Sequence, residues 1–195
     1  MQQRRADYSR QTKETDIKVK LDLDGESKVQ VQTGLGWADH MLHLLGFWAG
    51  FDMEVQAQGD LEVDGHHTLE DAGLCLGEAL HRAIGDKAGL TRVGWAKMPM
   101  DEALSEAIVD ISGRPYLVYQ DQILPQLIFG QEKDLWREFF KSFAFRAGLN
   151  LHIIFHYGQN GHHLLESAFK ACGLALAQAL QRQQGGMRSS KGSLD

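Results

Sequence analysis

The stretch His66-His67-Thr68-Leu69-Glu70 returns as His162-His163-Leu164-Leu165-Glu166, with residue 162 following residue 66 by 96 positions. Repetition at that distance, in matched surroundings, constrains the chain to fold as two like halves. In the first half, DIKVKLDLDGESKVQVQT alternates apolar and polar residues on both sides of Asp24-Gly25, which predicts a β-hairpin. Trp37 to Ala49 then sets Met41, Leu44, Leu45 and Trp48 at helical spacing, and Gly50 stops the run. FDMEVQAQGD returns to period two, a short LEVDG link follows, and a second helix runs from His66 to Gly85. The same order recurs downstream: SEAIVDISG and RPYLVYQDQ as strands, DLWREFFKSFAFRAG as a helix, LNLHIIFHYG as a strand and HHLLESAFKACGLALAQALQ as a helix. Each half reads β-β-α-β-α, over about 16–86 and 104–184, giving an α+β body of layered sheets and helices. The start MQQRRADYSRQTKET reads as a polar leader and DKAGLTRVGWAKMPMDEAL as a connector.

At 195 residues the chain suits one compact domain or two small fused halves, and is long enough to bury a core without disulfide staples; the repeat favours a single duplicated domain. Cys75 and Cys172 both fall in apolar helical runs and read as reduced core residues. A net charge of −6 argues against general nucleic-acid binding, because phosphate-backbone binders carry a basic face. No stretch approaches the roughly 18 apolar residues that a membrane span needs, and the polar start has no apolar core of a signal peptide. The expectation is a cytoplasmic protein. The tail QGGMRSSKGSLD reads as disordered by composition, although Arg188, Ser189, Ser190 and Lys191 could instead close over a ligand.

Two imidazoles and a carboxylate, twice, propose a metal site. In a helix each residue turns about 100°, so positions four apart share a face while neighbours diverge. His66 and Glu70 can then serve one ion, and His67 must serve another. Likewise His163 cannot readily share one ion with both His162 and Glu166. The pair of motifs therefore suggests two ions held between helix starts. More ligands are needed to fill two coordination spheres. His40, in Asp39-His40-Met41-Leu42, and His152, on the strand before the second motif, are the candidates. His43, His81 and His156 have no repeated partner and read as surface or packing residues.

With these residues in hand, the sequence resembles the imidazoleglycerol-phosphate dehydratases over nearly its whole length. The resemblance is carried by Lys13-Glu14-Thr15, Thr33-Gly34, Asp39-His40-Met41-Leu42, Gly59-Asp60, HHTLED, Met100-Asp101-Glu102-Ala103, Asp110-Ile111-Ser112-Gly113-Arg114-Pro115, Leu151-His152-Ile153, Asn160-Gly161-His162-His163, Phe169-Lys170-Ala171 and Ser189-Ser190-Lys191-Gly192. It implies dehydration of D-erythro-imidazoleglycerol phosphate to imidazole-acetol phosphate, in histidine biosynthesis, with two Mn2+ per active site. By position, one ion would take His40, His67, His162 and Glu166, and the other His66, Glu70, His152 and His163. Such a donor set suits Mn, Fe, Co or Zn, so manganese rests on the resemblance.

The resemblance also implies a mechanism. Metal charge on both ring nitrogens favours a bound imidazolate, which expels the adjacent hydroxyl through a diazafulvene-like species. Loss of the neighbouring proton then gives an enol that becomes the ketone. Glu14 matches the substrate-contacting glutamate and is the expected base. His40 also counts as a substrate contact. Arg92, Arg114, Ser189, Ser190 and Lys191 match phosphate-binding positions. Asp101 and Glu102 read as structural. The family commonly carries a substrate-contacting histidine eight positions after the metal-binding one; this chain has Trp48 there, which can neither accept a proton nor bind a metal. A shell of 24 subunits with shared sites is the implied assembly. The rival readings are a dinuclear hydrolase of a small phosphorylated substrate and a ferritin-like metal store.

Overall fold

The computed structural model describes residues 3–186, 188 and 189. The first half comprises β1 (Arg5–Gln11), β2 (Thr15–Asp22), β3 (Val29–Gln32), α1 (Gly36–Ala49), β4 (Asp52–Gly59) and α2 (His66–Ile84). The second comprises β5 (Val93–Met100), β6 (Ala103–Asp110), β7 (Tyr116–Gln120), a small β8 (Leu127–Ile128) and β9 (Gln131–Glu132) pair, α3 (Asp134–Ala147), β10 (Asn150–Tyr157) and α4 (Gly161–Ala179). The four-stranded sheets run β1-β2-β4-β3 and β5-β6-β10-β7, the same order twice, each with one parallel edge pair. The fold is the expected α+β body, but with one more strand at the start of each half.

The two missed strands hide for different reasons. In β1 the half-buried side is Ala6, Tyr8 and Arg10, so no apolar alternation survives. Arg10 reaches the Asp71 carboxylate of α2, and Tyr8 lies under the Arg82 guanidinium, 4.6 Å from its ring centre. In β5 the apolar pattern is inverted. Gly94 and Ala96 face inward, because a Cβ at Gly94 would stand 2.0 Å from the Ala175 carbonyl oxygen of α4. The bulky Val93 and Trp95 point outward.

The predicted hairpin about Asp24-Gly25 does not form: β4 inserts between β2 and β3 and pairs with both. The loop is drawn to β4 by Asp52, whose Oδ1 accepts from the amides of Glu26 (2.8 Å) and Lys28 (2.9 Å). Alternation identifies a strand, yet cannot say which neighbour it pairs with.

Helices fill the space between the sheets by exchanging partners: α2 packs on α3 and α1 on α4. Both crossings come close at a glycine. A Cβ at Gly77 would meet the Phe143 carbonyl oxygen at 2.5 Å, and one at Gly173 the Leu45 carbonyl oxygen at 2.6 Å. These glycines again stand 96 apart, so the repeat extends through the packing surface. Trp136, Phe139, Phe140, Phe143 and Phe169 form the fully buried centre, and Cys75 and Cys172 are free and buried within it. Burial pushes both thiols up to about 12. Among the described residues, no helix is long and apolar enough to cross a membrane.

Candidate metal centre

Each His-His pair opens a helix whose first amides are held by a side chain two residues back. Asp64 Oδ1 accepts from His66 N at 2.7 Å, and Asn160 Oδ1 from His162 N at 2.9 Å, again 96 residues apart. The paired rings then diverge, with interplanar angles of 82° for His66 and His67 and 88° for His162 and His163.

Packing of α1 on α4 brings His40, His162 and Glu166 together. One ligand atom from each lies within 4.8 Å of the others, the one such group of three among the described residues. His40 Nε2 and His162 Nε2 each stand 3.1 Å from Glu166 Oε2, and Lys170 Nζ is 2.5 Å from Oε1. Burial alone would push the Glu166 carboxyl up, but hydrogen bonds from Lys170, His40 and His162 outweigh it and hold the group at about 2. An ionised carboxylate flanked by imidazole nitrogens suits a divalent cation. Phe129, whose backbone adopts φ 56°, meets the His162 ring edge-on at 5.2 Å and stacks on Trp37.

The other candidates fall into separate groups. His66 Nε2 is 3.6 Å from Glu70 Oε2. His67 turns to Asp60, with Nδ1 at 3.0 and 3.2 Å from the two carboxylate oxygens, which raises its pKa. Glu14 lies beside this pair, since its carbonyl accepts from Asp60 N at 3.1 Å and its charge adds to the rise in His67. His163 Nδ1 is 2.6 Å from Glu102 Oε2, and its Nε2 is 3.7 Å from Asp101 Oδ2. The hydrogen bond from His163, then those from the Asn160 and Gln159 amides, hold the Glu102 carboxyl down at about 2, while Glu102 raises His163.

His152 is not brought to these groups. It lies on the outer face of β10, opposite the helices and beside Ile108 and Val118. Arg92 is similarly remote: it forks onto Asp110 (2.7 and 3.0 Å), gives a further bond to the Arg188 carbonyl, and its amide reaches the Ala179 carbonyl at the end of α4. Within the 19-residue α4, Ala179 stands 17 residues after His162, about 26 Å away at 1.5 Å per residue. Arg114 follows the same strand end as Asp110. Ser189 is half-buried, while Ser190 and Lys191 lie outside the described residues. Trp48 packs on α4, with its Cβ 2.9 Å from where a Cβ at Gly173 would stand.

Lys170, Asp60 and Phe129 stand near the ligand candidates without a role expected from the residues, and Glu102, expected to be structural, contacts a candidate ligand. Lys170 was findable, standing four positions after Glu166 on one helix face. Asp60 and Glu102 fall within the matching stretches as acids without a partner, and only the fold supplies their histidines. Phe129 carries no sequence signal.

A twice-built α+β body in which α1 and α4 set two imidazoles beside an ionised carboxylate has the class of site that a metal-dependent enzyme uses. Residues 33–176 match the family model of imidazoleglycerol-phosphate dehydratase. The chain is 61% identical over 195 residues, all of both chains, to imidazoleglycerol-phosphate dehydratase of Maridesulfovibrio salexigens, and 45% identical over 98% of its length to that of Methanopyrus kandleri, covering 96% of the latter. It superposes on the crystal structure of imidazoleglycerol-phosphate dehydratase from Staphylococcus aureus with a TM-score of 0.82 and 35% identity, over 92% of this chain and 99% of that one. The Pyrococcus furiosus structure, in complex with (S)-C348, gives 0.82 and 38%, over 96% and 100%. The chain belongs to the imidazoleglycerol-phosphate dehydratase family and is a carbon-oxygen lyase of the hydro-lyase type.

Proposed function

We propose that the protein dehydrates D-erythro-imidazoleglycerol phosphate to imidazole-acetol phosphate, a step of histidine biosynthesis, with two Mn2+ per active site. The observation that carries this reading is the convergence of His40, His162 and an ionised Glu166 on one point, in a chain matched end to end by relatives of that name. In this reading His67 joins that group, and His66, Glu70, His152 and His163 hold the second ion. When bound, the ions would supply positive charge at the ring nitrogens, the chemistry that makes the ring electron-rich enough to lose its neighbouring hydroxyl.

The chain's own residues do the rest. Glu14, on the turn between β1 and β2 and near His67, takes the proton from the carbon beside the one that loses hydroxyl; that proton and the departing hydroxide make up the water released, and the enol left behind gains a proton on the ring-side carbon as its O–H proton is lost, giving the ketone. Arg92, Arg114 and Ser189, with Ser190 and Lys191, are the proposed phosphate ligands and the segment 185–195 the proposed closing piece, of which residues 187 and 190–195 lie outside the described residues. His152, Arg92 and Arg114 come from one copy of the chain and the helix starts from another, because one chain holds them apart. An assembly of 24 copies, each a single domain of two halves, is the corresponding oligomer, and a cytoplasmic setting suits the biosynthetic role.

The test is formation of imidazole-acetol phosphate by metal-loaded protein, with and without chelator. Product that disappears with chelator and returns with Mn2+ is the expected result. Release of inorganic phosphate in its place would identify a hydrolase and overturn the assignment.

A further inference from the structure

We propose that Glu102 is a positioning residue, holding His163 in the single ring orientation and tautomer that leaves Nε2 free for a divalent ion. This rests on the reading of His163 as a ligand and extends it. Glu102 lies in the turn between β5 and β6, next to Asp101, a non-glycine residue with φ 47°. One carboxylate oxygen, Oε1, accepts from the amides of Gln159 (3.1 Å) and Asn160 (2.8 Å), immediately before α4. The other, Oε2, meets His163 Nδ1 at 2.6 Å.

An amide N–H only donates, so Oε1 is an acceptor, and an ionised carboxylate has no proton to offer at Oε2. The proton in the short contact therefore belongs to His163 Nδ1. That leaves Nε2 as the nitrogen with a free lone pair, and the ring cannot rotate without breaking the bond. A ligand histidine held this way gains basicity and loses orientational freedom, which is worth about 10- to 100-fold in metal affinity. The first half makes the same contact from a different element: Asp60, just past the end of β4, holds His67 Nδ1. Two halves reaching one geometry by unlike routes points to a requirement of the histidines and not of the loops.

The alternative is that Glu102 only ties the turn to the start of α4, and substitution separates the two roles. Gln has one acceptor oxygen. If that oxygen stays on the two amides, its NH2 faces His163 and donates, which moves the ring proton to Nε2 and blocks the ion. Ala removes the tie altogether but lets water accept from Nδ1. For a positioning residue, Co2+ affinity of the stripped full-length protein, measured by calorimetric titration, should fall in the order wild type, E102A, E102Q, with E102Q lower by about 10- to 100-fold. Thermal stability of the same metal-free proteins should fall in the order wild type, E102Q, E102A. D60N should lose less than E102Q, because both Asp60 oxygens approach the same nitrogen and an amide can turn its oxygen to it. Identical orders in the two measurements, or an E102Q isotherm equal to wild type, would overturn the proposal. Failure of wild type itself to bind a second ion that H163A lacks would overturn the ligand reading on which it stands.

Discussion

The two halves share a topology and differ in what their sheets show the outside. On the first sheet the outer positions are Arg5, Asp7, Lys18, Lys20, Asp22, Glu54 and Gln56, laced by Arg5–Asp22 at 2.7 Å and Lys20–Glu54 at 3.0 Å. On the second, one row runs Trp95, Ile108, His152, Val118 across four strands, with Tyr116 and Ile154 beside it. Trp95 is 62% exposed and Tyr116 59%. Duplication thus gave two equivalent surfaces: one is charged and polar throughout, while the other carries an apolar band with a candidate ligand in it, flanked by the ion pairs Lys97–Glu106 (3.5 Å) and Arg92–Asp110 (2.7 Å). A large apolar patch on a single chain marks a contact surface. The difference teaches that the inner faces define the fold, and the outer faces decide what the fold is used for.

Breaking the contrast between the faces should have the largest effect. Trp95→Asp adds a charge to the apolar row, and under the shared-site reading the assembly dissociates into small species in light scattering, with turnover lost alongside. Lys20→Asp on the charged face should leave particle size unchanged. Equal behaviour of the two variants would remove the distinction.

The next contrast is between the two motif glutamates. Glu166 is 7% exposed and is met by His40, His162 and Lys170, whereas Glu70, among the described residues, is met by His66 at 3.6 Å. Glu166→Gln should cost about 3 kcal/mol of transition-state stabilisation, roughly 100-fold or more in kcat/KM. Glu70→Gln should cost less. Steady-state rates at saturating Mn2+ check the order.

Much of this was legible in the residues, and the illegible parts share a cause. The 96-residue repeat gave the duplication, and helical spacing gave the divergence of neighbouring histidines, because both are local properties of the chain. The strand β5 has no inward apolar alternation to read because Gly94 and Ala96 are small for the sake of α4, where Ala175 lies 81 residues after Gly94. Pairing of β2 with β4 in place of β3 was lost for the same reason: register between distant segments has no local signature. At the site, the ring partners of His67 and His163 required the fold, whereas Lys170 required only counting along a helix.

A smaller effect separates the buried anchors of the two hairpins. In the first half Asp71 accepts from both Thr15 Oγ1 and Arg10, tying the turn that carries Glu14 to α2. Ser167 stands 96 residues after Asp71 and makes a neutral version, donating to Ser105 Oγ at 2.6 Å or to the Leu164 carbonyl at 2.8 Å. Asp71→Asn weakens a charge-assisted pair and should cost about 2 kcal/mol in denaturant unfolding of the metal-free protein. Ser167→Ala should cost about 1 kcal/mol. A larger loss from the serine would mean that the neutral anchor is the stronger.

The smallest contrast is in pH, and it reverses with metal. His67 and His163 are raised above 6.5 by Asp60 and Glu102. In the metal-free protein their contribution to stability is therefore complete below 6.5 and lost as pH rises through the raised values. Glu166 and Glu102 are depressed to about 2 from 4.5, so theirs is present above 4.5 and lost as pH falls towards 2. Metal-free protein should be most stable between about 4.5 and 6.5 on these groups. Ion binding needs neutral imidazole, so retention of Mn2+ on dialysis should fall as pH drops through the raised histidine values, already above 6.5. Chelated protein gaining stability over the same acid step that strips the ion would separate the two effects; parallel losses would mean that the carboxylate contacts do not protonate these rings.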